Sequence, residues 1–353
     1  MDNLLERFGD GVTLTLAGAV TGILFGIMAQ HSRFCLRAAT VELSQGRFST
    51  RFAIWLVAFS AAVFGVQALI ASGFLDVSAA RQLAATGSMS GAILGGLLFG
   101  AGMILARGCA SRLLVLSATG NLRAIITGLV LTLVAQASLR GALSPLRETL
   151  AQLWLVPAGD ARNLLVQMGI SHAGAAVIAA LVLSCAVVLA WRIKVESSRI
   201  LAGAGVGLAV ALGWWLTFSI AQLSFDVVPV ASITFTGPST DTLMGLVNAS
   251  ELPLGFGVGL VPGVFVGAGA MALISGEARI ERFEAGTPME RYLIGAVLMG
   301  FGSMLAGGCA VGAGLSGGSI FAITAWVAVF CMWIGAMATH LVMQAAQTRQ
   351  QAA

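Results

Sequence analysis

The sequence predicts an all-α polytopic membrane protein with about nine transmembrane helices and four re-entrant half-helices, arranged as two inverted repeats. Three observations indicate this fold. Hydrophobic residues make up 58% of the 353 residues and charged residues 10%, whereas soluble domains average about 45–50% and about 25%. Nine stretches are long and apolar enough to cross a bilayer, and one glycine-rich motif that ends in a cysteine occurs twice.

The duplicated motif links two of these apolar stretches to the short segments that follow them. It reads GGLLFGAGMILARGCA at residues 95–110 and GAVLMGFGSMLAGGCA at residues 295–310. Repetition on this scale indicates a duplicated half of the chain. Each copy predicts a membrane helix, a glycine break and then a half-helix that carries a thiol in its first turn.

The nine predicted spans are continuous apolar stretches, and a helical crossing needs about 20 such residues. They lie at 12–30, 52–73, 88–106, 122–139, 172–191, 200–222, 252–274, 291–306 and 319–343. Small residues let membrane helices approach closely, and the chain contains 45 glycines. Because the apolar runs are continuous and do not alternate with polar residues, they disfavour a transmembrane barrel.

Four further apolar segments are too short or too interrupted to cross a bilayer. They lie at 33–46, 108–119, 228–248 and 308–318. Irregular backbone at membrane depth is tolerated only where it is buried in protein or lines a cavity. We therefore expect re-entrant half-helices whose tips meet near the middle of the membrane.

The spans divide the chain into a first repeat at 1–140, an interfacial segment with a linking span at 141–199, and a second repeat at 200–353. Because one linking span separates two sets of four, the second repeat is expected upside down, an arrangement typical of transporters with a central substrate site. Cytoplasmic loops are enriched in Lys and Arg. With the N-terminus outside, fourteen of the 19 Lys and Arg residues fall on the cytoplasmic side, so we predict an outer N-terminus and a cytoplasmic C-terminus.

The half-helix tips carry the candidate substrate path. Helix N-termini present free N–H groups and the positive end of the helix dipole, which attract anions. The path residues are three cysteines, two glycines at the breaks and one threonine: Cys35, Cys109, Cys309, Gly108, Gly308 and Thr236. Thr236 is included because Phe235-Thr236 stands where the first repeat has Phe34-Cys35. A thiol is a weak, polarizable donor, which suits a soft sulfur-bearing anion and could hold it without trapping it.

These cysteines also have a structural interpretation, since free cysteine is often a small buried apolar residue. We favour that interpretation for Cys185 and Cys331, which lie inside uninterrupted spans. Arg33 and Arg37 flank Cys35 and could attract anions at the inner mouth, or serve only as positive-inside anchors. Both interpretations of the two arginines stay open.

Arg107 and Arg112 flank Cys109, but the second copy has Gly307 and Gly312 at those places. We therefore do not expect these two arginines to belong to a symmetric site. Three carboxylates are candidates for ion coupling on their placement alone: Glu42, Asp241 and Glu251.

The five cysteines form no CxxC pair and no close Cys/His cluster, so the sequence predicts neither a metal site nor a disulfide framework. The positive charges do not cluster as on a nucleic-acid-binding face. We expect no cofactor and no nucleic-acid partner, and we expect contact with the lipid bilayer.

At these residues the sequence resembles the YeeE/YedE family of bacterial inner-membrane sulfur transporters, whose best-understood members import thiosulfate. The resemblance lies in RFCLR at 33–37, GCASR at 108–112 and GGCAVG at 307–312, and it extends over nearly the whole chain. It implies an hourglass-shaped protein in which thiosulfate passes between opposed cavities by transient S–H contacts to the three tip cysteines, without a covalent step. It also implies a location in the bacterial inner membrane, with the N-terminus periplasmic, and association with a small sulfur-carrier protein on the cytoplasmic side.

The predicted function is therefore a permease that imports thiosulfate or a closely related small sulfur anion. Two alternatives stay open. A membrane thiol-disulfide oxidoreductase needs paired, exchangeable cysteines, and the lack of a CxxC pair disfavours it; a membrane subunit that anchors a cytoplasmic sulfur-transfer protein would need no transport. Because residues 140–171 exceed a minimal connector and relatives are associated with other sulfur or selenium species, the substrate stays open among these anions.

Overall fold

The computed structural model describes residues 2–248, 253–282 and 289–352. Within these residues, helices account for most of the chain. They are α1 (Asp2–Ser32), α2 (Leu36–Ser44), α3 (Thr50–Ala71), α4 (Arg81–Ala84), α5 (Met89–Leu105), α6 (Ala110–Ala118), α7 (Leu122–Arg140), α8 (Ser144–Gln152), α9 (Leu164–Met168), α10 (His172–Arg192), α11 (Ser197–Leu223), α12 (Thr236–Asn248), α13 (Phe256–Ile274), α14 (Met289–Leu305) and α15 (Ile323–Ala352). Two-residue strands at Gly87–Ser88 and Leu155–Val156 pair antiparallel.

Long apolar helices confirm the predicted all-α polytopic membrane protein. Within the described residues, eight helical stretches are long and apolar enough to span a membrane: α1 with α2, α3, α5 with α6, α7, α10, α11, α13 and α15. The remaining predicted span, 291–306, lies in α14, which has 17 residues. The small strand pair is a minor departure from a purely helical fold.

The first two predicted half-helices, 33–46 and 108–119, contain the short helices α2 and α6, of nine residues each. Within the third predicted segment, 228–248, the residues from Thr236 onward are helical and residues 228–235 are not. Pro229 lacks an N–H, and the β-branched residues around it favour extended backbone. This short extended segment lies directly before α12.

The fourth predicted half-helix, 308–318, forms a π-helical turn at Gly312–Gly317. The N–H of Ser316 donates to the carbonyl of Val311 at 3.0 Å, which is the i→i+5 bond of a π-helix. Glycine has little preference for α-helical geometry, and the segment contains several. The Ser316 hydroxyl donates to the carbonyl of Ile233 at 2.6 Å, so this turn and the extended segment stabilise each other.

The long helices pack in matched pairs. α1 packs along α13 as α11 packs along α3, and α5 contacts α15 as α14 contacts α7. In addition, α1 contacts α11 and α5 contacts α14. The four long helices before residue 141 therefore have counterparts after residue 196 with equivalent neighbours.

Glycines of the duplicated motif form the contact between α5 and α14. A Cβ atom at Gly95 would lie 2.5 Å from the backbone nitrogen of Ala306, and one at Gly295 would lie 2.5 Å from that of Ala106. Residues early in each helix thus contact residues late in the other, so the two copies of the motif run antiparallel. Cβ atoms do not approach backbone this closely, so only glycine allows the contact.

Candidate functional site

Each cysteine of the predicted path follows a helix that ends in the same way. The helices α1, α5 and α14 are followed by a residue with left-handed backbone: Arg33 (φ 54°), Arg107 (φ 55°) and Gly307 (φ 78°). The next N–H bonds to the carbonyl five residues earlier at 2.9–3.1 Å, as in a Schellman motif. The left-handed residues therefore precede Gly108 and Gly308, the glycines at which the sequence placed the breaks.

Cys35 and Cys109 lie directly before α2 and α6 and are buried, with 8% and 1% of their surfaces exposed. Their side chains lie close enough to interact electrostatically, and the Cys109 sulfur lies 3.3 Å from the Ser111 hydroxyl oxygen. Both are free thiols. The structure thus brings together the first two cysteines that the sequence singled out.

Cys309 lies directly before the residues that lead into the π-helical turn and is 1% exposed. Its sulfur accepts a weak hydrogen bond from the N–H of Gly312 at 3.5 Å and lies 3.9 Å from the Thr234 hydroxyl oxygen. Sequence reasoning missed Thr234, because only the extended conformation of 228–235 carries this residue to the cysteine. Cys109 and Cys309 belong to one continuous cluster of buried residues.

Thr236 lies at the start of its helix, α12, as the sequence predicted from its alignment with Cys35. It is 1% exposed, and its hydroxyl has no hydrogen-bond partner among the described residues. It lines a cavity of ≈ 380 Å³ together with Phe235 and with Ala110, the residue after Cys109. An unpaired buried hydroxyl is destabilising. The Thr236 hydroxyl is therefore a free polar group, next to the tip of α6, that could bind a polar ligand.

Arg33 and Arg37 have different surroundings. The Arg33 guanidinium forms an ion pair with Glu277 at 2.6 Å, and Gln30 donates to the same carboxylate at 2.7 Å. The hydrogen bond from Arg33 lowers the pKa of Glu277, and the bond from Gln30 adds to this effect. Arg33 therefore neutralises a carboxylate that sequence reasoning missed, since that residue lies in the other half of the chain.

Arg37 is half-buried, and its Nε atom has no hydrogen-bond partner in the described part of the chain. The positively charged side chains around it are Arg107, Arg123 and Arg291. Arg37 thus retains an unpaired donor within a group of cations. This surrounding favours anion attraction for Arg37 more than for Arg33.

The candidate coupling carboxylates have separate outcomes. Glu42 accepts hydrogen bonds from the backbone N–H groups of Arg51 at 3.0 Å and Phe52 at 2.9 Å, which makes it a cap of α3. Asp241 is exposed and lines a cavity with Arg140. Glu251 lies outside the described residues.

Comparison with known proteins gives one family and two full-length relatives. The family model described as Sulphur transport matches residues 31–338. The chain is 28% identical over 349 residues to Thiosulfate transporter TsuA of Escherichia coli (strain K12), which covers 92% of this chain and 93% of that protein. It is 26% identical over 336 residues to Thiosulfate transporter TsuA of Spirochaeta thermophila, which covers 90% and 96%. The matched family region contains all three breaks and their cysteines.

Proposed function

The chain belongs to the Sulphur transport family, and we propose that it is a multi-pass membrane permease that imports thiosulfate or a closely related small sulfur anion. Family membership and the names of the two relatives favour a transporter over the thiol-disulfide oxidoreductase and the anchor subunit. Both relatives are named as thiosulfate transporters. Because their sequences are 28% and 26% identical to this chain, uptake measurements are needed to choose among the sulfur anions.

The observation that carries the mechanism is the burial of three free thiols, each directly after a helix break. A thiol at such a position is a weak donor in a water-poor environment, where polar contacts are stronger than in water. A soft anion that enters from outside would contact Cys309 first and then exchange contacts with Cys109 and Cys35. Because weak donors bind weakly at each step, the anion can leave as readily as it enters.

The matched packing of the helices supports an inverted-repeat arrangement of 1–140 and 200–353. The two copies of the motif run antiparallel where α5 contacts α14, so the helix breaks after them open from opposite directions. α10 connects the two sets and accounts for the inversion. Transporters built from such repeats bind substrate near the middle of the membrane, at discontinuous helices.

The orientation that we propose places the N-terminus in the periplasm and the C-terminus in the cytoplasm of a bacterial inner membrane. The excess of Lys and Arg on one side supports this orientation. A small sulfur-carrier protein on the cytoplasmic side would consume the imported sulfur. Consumption would favour import, because each negative charge that enters against the membrane potential costs about 2.3 kcal/mol per 100 mV.

Thiosulfate uptake into proteoliposomes tests the proposal. Cys109→Ala and Cys309→Ala should each abolish uptake while the protein still purifies as a folded species. Cys331→Ala is the matched control, because Cys331 is also buried but lies inside the uninterrupted helix α15. If the two tip variants transport as fast as the control, the thiol path is wrong; if the wild type transports no sulfur anion, the permease function is wrong.

A further inference from the structure

A second cluster of arginines lies next to the Cys309 segment and is independent of the arginines that flank Cys35 and Cys109. It surrounds a cavity of ≈ 290 Å³. The cavity lies between α4, the segment 155–162, α8 and the start of α15. Its wall includes Gly307, Gly312 and Ala313, which belong to the stretch that holds Cys309, so the cavity opens directly onto the second helix break.

Three arginines line this cavity: Arg81, Arg147 and Arg162. Arg147 forms an ion pair with the exposed carboxylate of Glu148 at 3.0 Å and is therefore neutralised. Among the ion pairs of the described residues, none includes Arg81 or Arg162. The cavity therefore holds two positive charges without a carboxylate partner.

Arg162 is held rigidly in the wall. Only 6% of its surface is exposed, and its guanidinium donates to the carbonyl of Ala85 at 2.5 Å and to the Thr324 hydroxyl at 2.6 Å. A Cβ atom at Gly87 would lie 2.6 Å from its Nε atom, so glycine is needed there for the guanidinium to fit. That Nε atom is buried and has no hydrogen-bond partner among the described residues.

Arg81 is the exposed arginine of the pair. One of its nitrogens lies 3.5 Å from the carbonyl of Gly307. Burial and the positive charge of Arg81 lower the pKa of Arg162, yet a guanidinium stays charged at any ordinary pH. The two like charges are thus close enough to repel each other, and an anion between them would relieve that repulsion.

The location of these arginines has a structural reason. The first copy of the motif carries Arg107 and Arg112 beside its cysteine, whereas the second has Gly307 and Gly312. A side chain at Gly312 would clash with the Thr234 hydroxyl, so no arginine fits there. Arg81 and Arg162 bring positive charge to the same place from outside the motif.

We propose that Arg81 and Arg162 form an anion-capture site for a small divalent oxyanion such as thiosulfate, at the mouth that leads to Cys309. The site rests on the proposed function and on the predicted orientation, which puts this mouth outside. Arginine is well suited to oxyanions because its planar fork of donors matches their oxygens. Unlike the thiols, it should not discriminate between thiosulfate and sulfate.

Sulfate binding to purified protein in detergent tests the site without transport and independently of orientation. The melting temperature is followed during a titration with sodium sulfate at constant ionic strength. Sulfate should stabilise the wild type with a saturable dependence, and Arg81→Gln should need about tenfold more sulfate, since a hydrogen bond to a charged group is lost. Arg140→Gln is the matched control, because Arg140 is exposed and lines a different cavity; it should match the wild type.

Initial rates of thiosulfate uptake into intact cells provide the second measurement. Arg81→Gln should raise the KM about tenfold with little change in the maximal rate, and added sulfate should inhibit the wild type more than the variant. Gly87→Ala displaces the Arg162 guanidinium and should raise the KM in the same direction. If Arg81→Gln and Arg140→Gln give equal sulfate titrations and equal KM values, the capture site is wrong although the permease function stands. If the wild type transports nothing, the permease function fails, and the sulfate titration still decides whether the site exists.

Discussion

The thiols of Cys35 and Cys109 lie close enough to interact electrostatically, although two long helices, α3 and α5, lie between them in the sequence. The contact joins the first turns of α2 and α6, the two short helices of the first half. Because the two thiols lie close together, an ion that reaches one of them is already within reach of the other. This pair is therefore the position at which chemical modification should affect transport most strongly.

Oxidation should join Cys35 and Cys109 and block transport. Copper-phenanthroline treatment of the purified protein should yield a peptide pair linked through these residues, identified by mass spectrometry, and thiosulfate uptake should recover on reduction. Cys35→Ala should yield no linked peptide pair under the same treatment. Detection of a linked pair without any loss of uptake would mean that the anion does not pass between these thiols.

Thr236→Val should separate the stability of the protein from its transport rate. The Thr236 hydroxyl is buried without a partner, so its replacement by a methyl group should leave the melting temperature unchanged or raise the stability by about 1 kcal/mol. If this hydroxyl contacts the passing anion, uptake should fall at the same time. Ser239→Ala on the same cavity wall is the comparison, and equal uptake by both variants and the wild type would remove Thr236 from the path.

Gly95→Ala and Gly295→Ala should destabilise the protein to a similar extent. In each case the new Cβ atom would meet backbone of the opposing helix at 2.5 Å, and overpacking of this kind costs about 1–3 kcal/mol. Gly128→Ala in α7 is the matched control, since a Cβ atom there meets nothing within 4 Å. Thermal unfolding in detergent should rank both motif variants below the control, and a motif variant as stable as Gly128→Ala would contradict the close contact.

Glu277→Gln should change how stability depends on pH. Because its pKa is lowered in the folded protein, ionised Glu277 stabilises the fold above its unfolded pKa of about 4.3, and this contribution is lost as the pH falls through the folded pKa. Both partners of the ion pair are more than a third exposed, so the contribution should be at most about 1 kcal/mol. Melting temperatures of wild type and variant should differ at pH 7 and converge in acid; a difference that persists in acid would contradict this assignment.

The sequence predicted the long helices because each depends only on its own run of apolar residues. It located Cys109 and Cys309 at helix breaks because the motif is duplicated and its glycines interrupt the helix, and Cys35 because its segment is too short to cross a bilayer. Both inferences use neighbouring residues alone, and both are confirmed as local structure. The left-handed conformation of Arg107 was not foreseen, since glycine avoids the steric penalty of about 1–2 kcal/mol that any other residue incurs there.

What the sequence did not supply depends on contacts between distant segments. The ion pair of Arg33 with Glu277 joins the first half of the chain to the second. The approach of Thr234 to Cys309 joins the extended segment to the residues before the π-helical turn. The hydropathy of 308–318 is compatible with an α-helix as well as with a π-helical turn. The hydrogen bond from the Ser316 hydroxyl to the Ile233 carbonyl stabilises the π-helical turn. Arg162 lies in a segment that the sequence predicts to be a connector between the two halves. Its proposed role in anion capture follows only from its position in the wall of the cavity.

The contact of Gly95 with Ala306 and of Gly295 with Ala106 is self-complementary, because the same patch is used on both sides. Such isologous contacts are those of two-fold symmetric dimers. A single ancestral half, inserted into the membrane in both orientations, would form this contact with a second copy of itself. In the proposed inverted-repeat arrangement, fusion through α10 would assign one orientation to each copy and leave the two mouths free to diverge; the first copy has Arg107 where the second has Gly307.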